Sequence, residues 1–297
     1  MRILLFGGAG QVGREVCRAA WPASFEPIAL DRSAADIRDA AMVSAAITRK
    51  RPDLVINLAA YTAVDRAESE PDQAWAVNCA GAAHIAASCG DNGTPLVHLS
   101  TDYVFDGEKG EPYDEDDKVN PLNVYGASKE AGESAVRAAT PRHIILRTAW
   151  VYGAYGTNFL KTILRLGAER PILRVVADQS GCPTAAADIA AAIVAIARQI
   201  ERGAMPWGTF HFTAAGTTSW AGFAGEIVGL ARTLGAWPGG PGPRVEAITT
   251  AEYPTAARRP MYSVLDCRKI EGFGIFPPPW RSGLPGVLHE LIREQGR

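Results

Sequence analysis

The chain opens with Arg2–Phe6, apolar after its first residue, and breaks at Gly7-Gly8-Ala9-Gly10-Gln11-Val12-Gly13, a G-x-x-G-x-x-G run leading into a helical pattern from about Gln11 to Ala20. A short, wholly apolar run reads as a strand covered on both faces. Glycine lets the backbone turn tightly out of such a strand, and the next helix begins with unpaired N–H groups and a positive dipole end. That combination suits a pyrophosphate. Glycine-rich turns are common for packing reasons alone; the position after the first strand and before a helix is what points to a dinucleotide.

The same alternation continues. Pro27–Leu30, Asp53–Leu58, Pro95–Leu99 and His143–Arg147 read as further strands. Ala40–Lys50 and a stretch from Glu68 towards Asn92 read as helices, and another helix is expected to open at Asn120-Pro121, with Asn as N-cap. Apolar strands alternating with helices predict an α/β fold, a Rossmann-type doubly wound parallel sheet whose ligands bind at the carboxyl ends of the strands. Residues 1–150 are expected to form the main dinucleotide-binding region. Beyond Trp150 the pattern loosens: helices near Asn158–Leu166, Ala185–Glu201 and Ser219–Leu234, strands at Ile172–Val176 and Thr209–Thr213, and a loop at Pro238–Pro243. Residues 151–297 read as a smaller, mainly substrate-binding part, with some segments returning to the core.

Thirty basic against thirty-two acidic side chains argue against nucleic acid or an anionic membrane surface as partner. The five scattered cysteines contain no C-x-x-C pair, which predicts reduced thiols rather than a disulfide framework or a zinc site. With no apolar run of spanning length and no cleavable-signal features, the sequence reads as cytoplasmic. The histidines show no ligand spacing, so no metal is expected, and the acidic run Asp114–Asp117 reads as a solvated loop. Trp75, Trp207, Trp220, Trp237 and Trp280 read as packing residues.

Two motifs carry chemistry. Tyr125-Gly-Ala-Ser-Lys129 sets two side chains on one helical face. An ammonium near a phenol is expected to lower the phenol's pKa and bring it towards acid–base work. Ser100-Thr101-Asp102-Tyr103 follows the fourth strand, where a hydroxyl, of Thr101 or Ser100, faces the ligand crevice and can hold a carbonyl oxygen. Asp31 and Arg32 end the second strand. The acid suits ribose hydroxyls and NAD, the base a 2′-phosphate and NADP, so NADPH and NADH both stay open.

With these motifs in order the chain resembles the extended short-chain dehydrogenase/reductase family. The resemblance also runs through Asn57–Glu70, Pro121–Gly126, Arg147–Tyr152, Asn158-Phe159, Asp178–Thr184 and Arg259-Pro260. It implies a reductase acting on the C4 keto group of a dTDP-linked keto sugar, with NADPH or NADH as hydride source. Tyr125 is then the general acid, Lys129 its helper and ribose contact, and Thr101 the group that orients the ketone. Gly7, Gly10, Gln11, Val12 and Gly13 form the pyrophosphate loop; Asp31, Arg32, Asp36 and Ile37 border the adenosine; Ala59, Ala60 and Tyr61 line the cofactor cleft. Thr62, Val64, Tyr103 and Trp150 look like sugar-pocket residues, Trp150 through a flat apolar face. Asn158, Gln179 and Arg259 look placed for the nucleotide and diphosphate.

Two departures from the family pattern stand out. Arg258 precedes the Arg-Pro pair where relatives often have a small polar residue, and Ala185-Ala-Ala-Asp188 lacks the acid that helps a magnesium-mediated dimer elsewhere. A monomer and a homodimer both remain open. A nucleotide-sugar epimerase or dehydratase, and a non-catalytic regulatory subunit like that of methionine adenosyltransferase, are the competing readings. Thr101, Tyr125 and Lys129 together argue for catalysis.

Overall fold

Ile3, Leu4, Leu5 and Phe6 are all fully buried, so the first strand is covered on both faces. The computed structural model describes residues 1–204, 206–238 and 240–295; Gly239 of the Pro238–Pro243 loop lies outside them. Strands β1 (Arg2–Phe6), β2 (Glu26–Leu30), β3 (Leu54–Asn57), β4 (Leu96–Thr101) and β5 (His143–Thr148) join a sixth, Gly208–His211, in one sheet. From edge to edge the order is 208–211, β5, β4, β3, β1, β2, with every pair parallel. The chain therefore reverses its direction of winding between β1 and β3, and the crevice beyond their carboxyl ends is the place such a sheet offers a ligand.

Helices α1 (Gln11–Arg18) and α8 (Ala186–Glu201) cover one face, where Ile189, Ile193 and Ile196 pack with Ile3, Leu5 and Val16. On the other face Leu4, Phe6 and Val55 meet Val43 and Ile47 of α2 (Ala40–Lys50), Ile85 of α5 (Ala82–Asp91) and Val136 of α6 (Val124–Ala139). A second core gathers Leu160 and Ile163 of α7 (Phe159–Glu169), Phe223 and Ile227 of α9 (Trp220–Thr233), and Leu284 and Leu288 of a last helix, Leu284–Gln295. The parallel pair Ile172–Val176 and Arg244–Ile248 completes it. Neither Arg244–Ile248 nor the last helix was anticipated, because each lies in a stretch crowded with proline and glycine.

Two helix boundaries differ from expectation. The stretch from Glu68 is not continuous: α3 (Val64–Ser69) ends at Glu70, whose φ of −125° leaves the helical region, and α4 (Pro71–Trp75) restarts on a proline at its first position. Proline has no N–H to continue a helix but fits its first turn. Helix α6 opens three residues later than Asn120 suggests. Asn123 is its cap, with Oδ1 accepting from Gly126 N at 2.8 Å, while Asn120 donates to Asp106 Oδ2 at 3.0 Å.

Two glycines set how closely α6 approaches its neighbours. A Cβ on Gly126 would collide with the Tyr103 carbonyl, and one on Gly132 with the Asn78 carbonyl. Gly132→Ala is therefore expected to destabilise the fold by about 1–3 kcal/mol, the range typical of overpacking. Urea denaturation reads this directly, and an unchanged midpoint would show that α6 has room to move.

Candidate active site

The loop after β1 is shaped by backbone rather than side chains. Gly7 has φ +82°, and a Cβ there would meet the backbone of Leu58 and Ala59, so β1 and β3 meet at the switch point without an intervening side chain. A Cβ on Gly13 would strike Gly7 and Gly8, which fixes α1 against the turn. Gly10 caps α1 without a side-chain bond to its first amides, and Val12 is buried beneath them. A bare backbone facing a helix N-terminus fits a pyrophosphate.

Around the expected adenosine end, Asp31 Oδ1 accepts from Ser33 Oγ at 2.6 Å and from the amides of Ser33 and Ala34, both at 2.9 Å. The Ser33 hydroxyl first, then the Ala34 amide, hold the Asp31 carboxyl below its ordinary range. Asp36 is held lower still, chiefly by Arg38 at 2.5 Å, and it also takes Arg32 Nε at 3.2 Å. Ile37 is buried against Gly81. Ala59 donates its amide to Asn57 Oδ1 at 3.1 Å, Ala60 follows half-buried, and the Tyr61 amide donates to Asn78 Oδ1 at 2.8 Å.

Thr101, Tyr125 and Lys129 lie between β4 and α6. Tyr61, Val64, Tyr103 and Tyr125 share one apolar cluster, and the rings of Tyr103 and Tyr125 meet edge-on at 5.5 Å. Thr62 stands exposed beside it. Burial pushes the Tyr125 phenol up to about 12, opposed by the nearby Thr101 hydroxyl. The expected lowering by Lys129 is not what this geometry produces: Lys129 Nζ donates to the Leu99 carbonyl at 2.7 Å. Burial brings Lys129 down to about 8, opposed by the Glu133 charge. Of the two candidate hydroxyls, Ser100 turns inward and donates to Glu133 Oε1 at 2.6 Å, whereas Thr101 lies by Tyr125.

The outer residues are engaged with protein. Trp150, at φ +48°, stacks on Trp220 with ring centroids 3.5 Å apart, and Gly181 packs over the Nε1–Cε2–Cζ2 side of its indole. One flat face of Trp150 is thus covered rather than free. Asn158 caps α7 through Lys161 N and donates to Gln11 Oε1 at 2.6 Å. Gln179 donates to Thr250 Oγ1 at 3.0 Å, and Arg259 grips Asp65 with two prongs at 3.0 and 2.7 Å. Arg258 points outward, 3.9 Å from Glu108.

The acidic run is less solvated than expected. Glu115 accepts from His211 N at 2.8 Å, and Lys109 pairs with Asp117 at 2.6 Å. A cavity of about 520 Å³ opens near it, lined in part by Lys109, Cys182, Thr213, Cys267 and Arg268. It contains none of the residues with acid–base geometry, and its cations are already paired with Asp117 and Asp266, so the β4–α6 crevice is the better site. No group of three or more His, Cys, Asp or Glu side chains able to hold a metal occurs among the described residues.

Residues 1–293 match the family described as RmlD substrate binding domain. A dTDP-4-dehydrorhamnose reductase of Sinorhizobium fredii is 44% identical over 297 residues, covering 99% of each chain. Among solved structures, a dTDP-4-dehydrorhamnose reductase from Clostridium acetobutylicum is similar at a TM-score of 0.89 and 39% identity, covering 98% of this chain and 99% of that one. The Bacillus anthracis dTDP-4-dehydrorhamnose reductase, solved in complex with NADP, matches at 0.88 and 36%, covering 97% and 99%.

Some residues of the site escape sequence reasoning. Asn57 and Asn78 hold the Ala59–Tyr61 segment and carry no local signal; Asp65 meets Arg259 across most of the chain length. Asp102, next to Thr101, is fully buried; its Oδ1 accepts from Thr101 and its Oδ2 has no hydrogen-bond partner. Burial raises its carboxyl to about 6, against the opposing influence of the Ser263 and Thr101 hydroxyls. Because the folded value lies above the ordinary 3.8, this group weakens the fold as pH rises from about 4 through about 6. Asp102→Asn removes the titration. The melting temperature of the variant minus that of the wild type is therefore expected to be more positive at pH 7.5 than at pH 4, and a pH-independent difference would exclude an elevated Asp102.

Proposed function

The chain belongs to the family described as RmlD substrate binding domain, and on that premise we propose that it reduces the C4 keto group of dTDP-4-dehydro-L-rhamnose to give dTDP-L-rhamnose. The observation that carries this reading is the nearness of Thr101 and Tyr125, both buried, at the carboxyl end of a parallel sheet whose first strand leads into the glycine loop. The reductase name borne by relatives matching across the full chain supports it over an epimerase, a dehydratase or a regulatory subunit.

The nicotinamide cofactor, NADPH or NADH, supplies the hydride when bound; the NADP complex of the Bacillus anthracis relative supports this choice of group. Gly7, Gly10, Gln11, Val12 and Gly13 hold the pyrophosphate against the N-terminus of α1. Asp31, Arg32, Asp36 and Ile37 border the adenosine, and Ala59, Ala60 and Tyr61 line the cleft. Arg32, largely exposed next to Asp31, leaves room for either ribose or its 2′-phosphate.

Thr101 orients the ketone, and Tyr125 delivers the proton to the developing alkoxide. A phenol held up near 12 keeps its proton at neutral pH, as a general acid must. Lys129 contacts the ribose and contributes its charge. Thr62, Val64, Tyr103 and Trp150 surround the sugar. Asn158, Gln179 and Arg259 face the nucleotide end, where an arriving phosphate competes with Asp65 for the guanidinium. In this reading residues 1–150 are the main dinucleotide region and 151–297 mainly bind substrate, with α8 and strand 208–211 returning to the sheet. Five free thiols fit a reducing compartment such as the cytoplasm.

Purified protein is expected to oxidise NADPH or NADH in the presence of dTDP-4-dehydro-L-rhamnose, followed by absorbance; silence from folded, cofactor-binding protein would overturn the reading. Tyr125→Phe should lower turnover ~100- to 10,000-fold, the usual contribution of a positioned acid, with cofactor affinity near wild type. Substantial residual turnover would remove Tyr125 as donor. Lys129→Met should weaken both turnover and cofactor binding, and unchanged affinity would disprove the ribose contact.

A further inference from the structure

One stripe of α6 carries Tyr125, Lys129 and Glu133 at successive turns, all buried, with Glu133 wholly so. Each meets a consecutive residue at the end of β4. Lys129 Nζ donates to the Leu99 carbonyl at 2.7 Å, Ser100 Oγ donates to Glu133 Oε1 at 2.6 Å, and Tyr125 lies by the Thr101 hydroxyl. From β5, Arg147 clamps the same carboxylate, with Nε 2.9 Å from Oε1 and Nη2 2.7 Å from Oε2. Arg137 adds Nη1 at 3.0 Å from Oε2.

We infer that Glu133 is a positioning residue for proton transfer: it fastens the end of β4 to α6 so that Thr101 meets Tyr125, and it sets a fixed negative charge one helical turn from Lys129. The inference rests on the assignment of Tyr125 and Lys129 as the proton-transfer pair.

A buried ion pair is a poor device for stability alone, since apolar side chains of similar volume often serve as well. Here the carboxylate makes an additional bond that an apolar residue cannot, to the residue preceding Thr101. The charges around Lys129 also leave the task to Glu133. On β4, His98 faces Lys129 but is wholly buried and held neutral, its pKa driven well below 6.5 by that burial and by the lysine itself. Asp102, at the end of β4, and Thr101 act on Tyr125 rather than on the lysine. Arg147 of β5 is paired with Glu133, and the Glu133 charge opposes the burial that discharges Lys129. With two guanidiniums and the Ser100 hydroxyl on it, Glu133 itself stays ionised, near 2, through the burial cost.

The test is the pH profile of kcat/KM for the full chain with cofactor and substrate, alongside a thermal melt of each variant. For Glu133→Gln the alkaline limb is expected to move down by about one pH unit, because the ammonium loses its counter-charge and discharges earlier as pH rises. A glutamate of merely structural value would lower the melting temperature and leave the limb where it is. Should Glu133→Gln leave Arg147 unpaired and unfold, the double variant Glu133→Gln/Arg147→Met removes the stranded guanidinium, and the limb should still move down, by less because a neighbouring cation is lost as well. A folded single or double variant with the wild-type limb overturns the electrostatic role. Ser100→Ala keeps the charge and loses the strand contact; it should lower kcat about tenfold, roughly the effect of one hydrogen bond to a charged group, with the limb in place. Wild-type kcat in Ser100→Ala overturns the positional role. If Tyr125→Phe retains turnover, the underlying assignment has failed; if it abolishes turnover while the Glu133 variants keep the wild-type limb, this inference alone has failed.

Discussion

Helix α6 lies so close to the ends of its neighbours that two backbone carbonyls, from Tyr103 and Asn78, occupy the space where side chains at Gly126 and Gly132 would stand. Everything at the site depends on that approach. It lets Ser128 accept from Asn78 Nδ2 at 3.0 Å, and Asn78 in turn fixes the Tyr61 segment from both its amide and its carbonyl. It also brings Lys129 within reach of the β4 backbone, past the phenol it accompanies. A helix displaced by a single methyl group would lose these contacts together, since hydrogen bonds weaken steeply with distance and angle.

Close packing then decides the electrostatics. Tyr125, Asp102, Lys129 and Glu133 are all buried, and water is unavailable to stabilise any charge among them. Three of the four respond as burial dictates: the phenol and the Asp102 carboxyl rise, and the ammonium falls. Glu133 is the exception because its oxygens collect Arg147, Arg137 and Ser100. The result is an acid that holds its proton beside a cation that is easily lost, with one firmly fixed negative charge between that cation and β5.

The parts of this arrangement legible in the sequence are the local ones. The apolar runs and the glycine loop give the sheet, and a spacing of four places Tyr125 with Lys129 because neighbours on a helix face are set by the helix itself. The spacing from Lys129 to Glu133 is also four, so that carboxylate was within reach of the same reasoning; what the sequence does not reveal is Arg147 arriving from β5. Asn158 and Gln179 read as ligand amides in the sequence; that Gln11 and Thr250 partner them within the chain is not legible there. Ser100 and Thr101 are chemically alike in sequence, and their roles separate because successive residues of a strand point to opposite sides. Trp150 likewise depends on a partner, Trp220, that lies seventy residues further on.

Polar contacts join the first half of the chain to the second at several points around the crevice, beside the apolar cluster of Val104, Phe105 and Leu265. Gln11 reaches the Val151 carbonyl and Asn158 at one end, and Asp65 holds Arg259 and the Ala257 amide at another. Hydrogen bonds of this kind differ from a sealed apolar core in one respect that matters for a ligand. Their donors and acceptors are exchanged for those of an entering polar molecule at modest net change in free energy, because each group remains partnered. Apolar surfaces pulled apart for the same molecule would forfeit their burial outright. The second core, built on Phe223, Leu284 and Leu288, supplies rigidity behind these contacts without being disturbed by their exchange. Firm packing under α6 and exchangeable polar contacts across the crevice are therefore complementary, the first fixing Tyr125 and the second able to give way to a charged, hydrogen-bonding molecule.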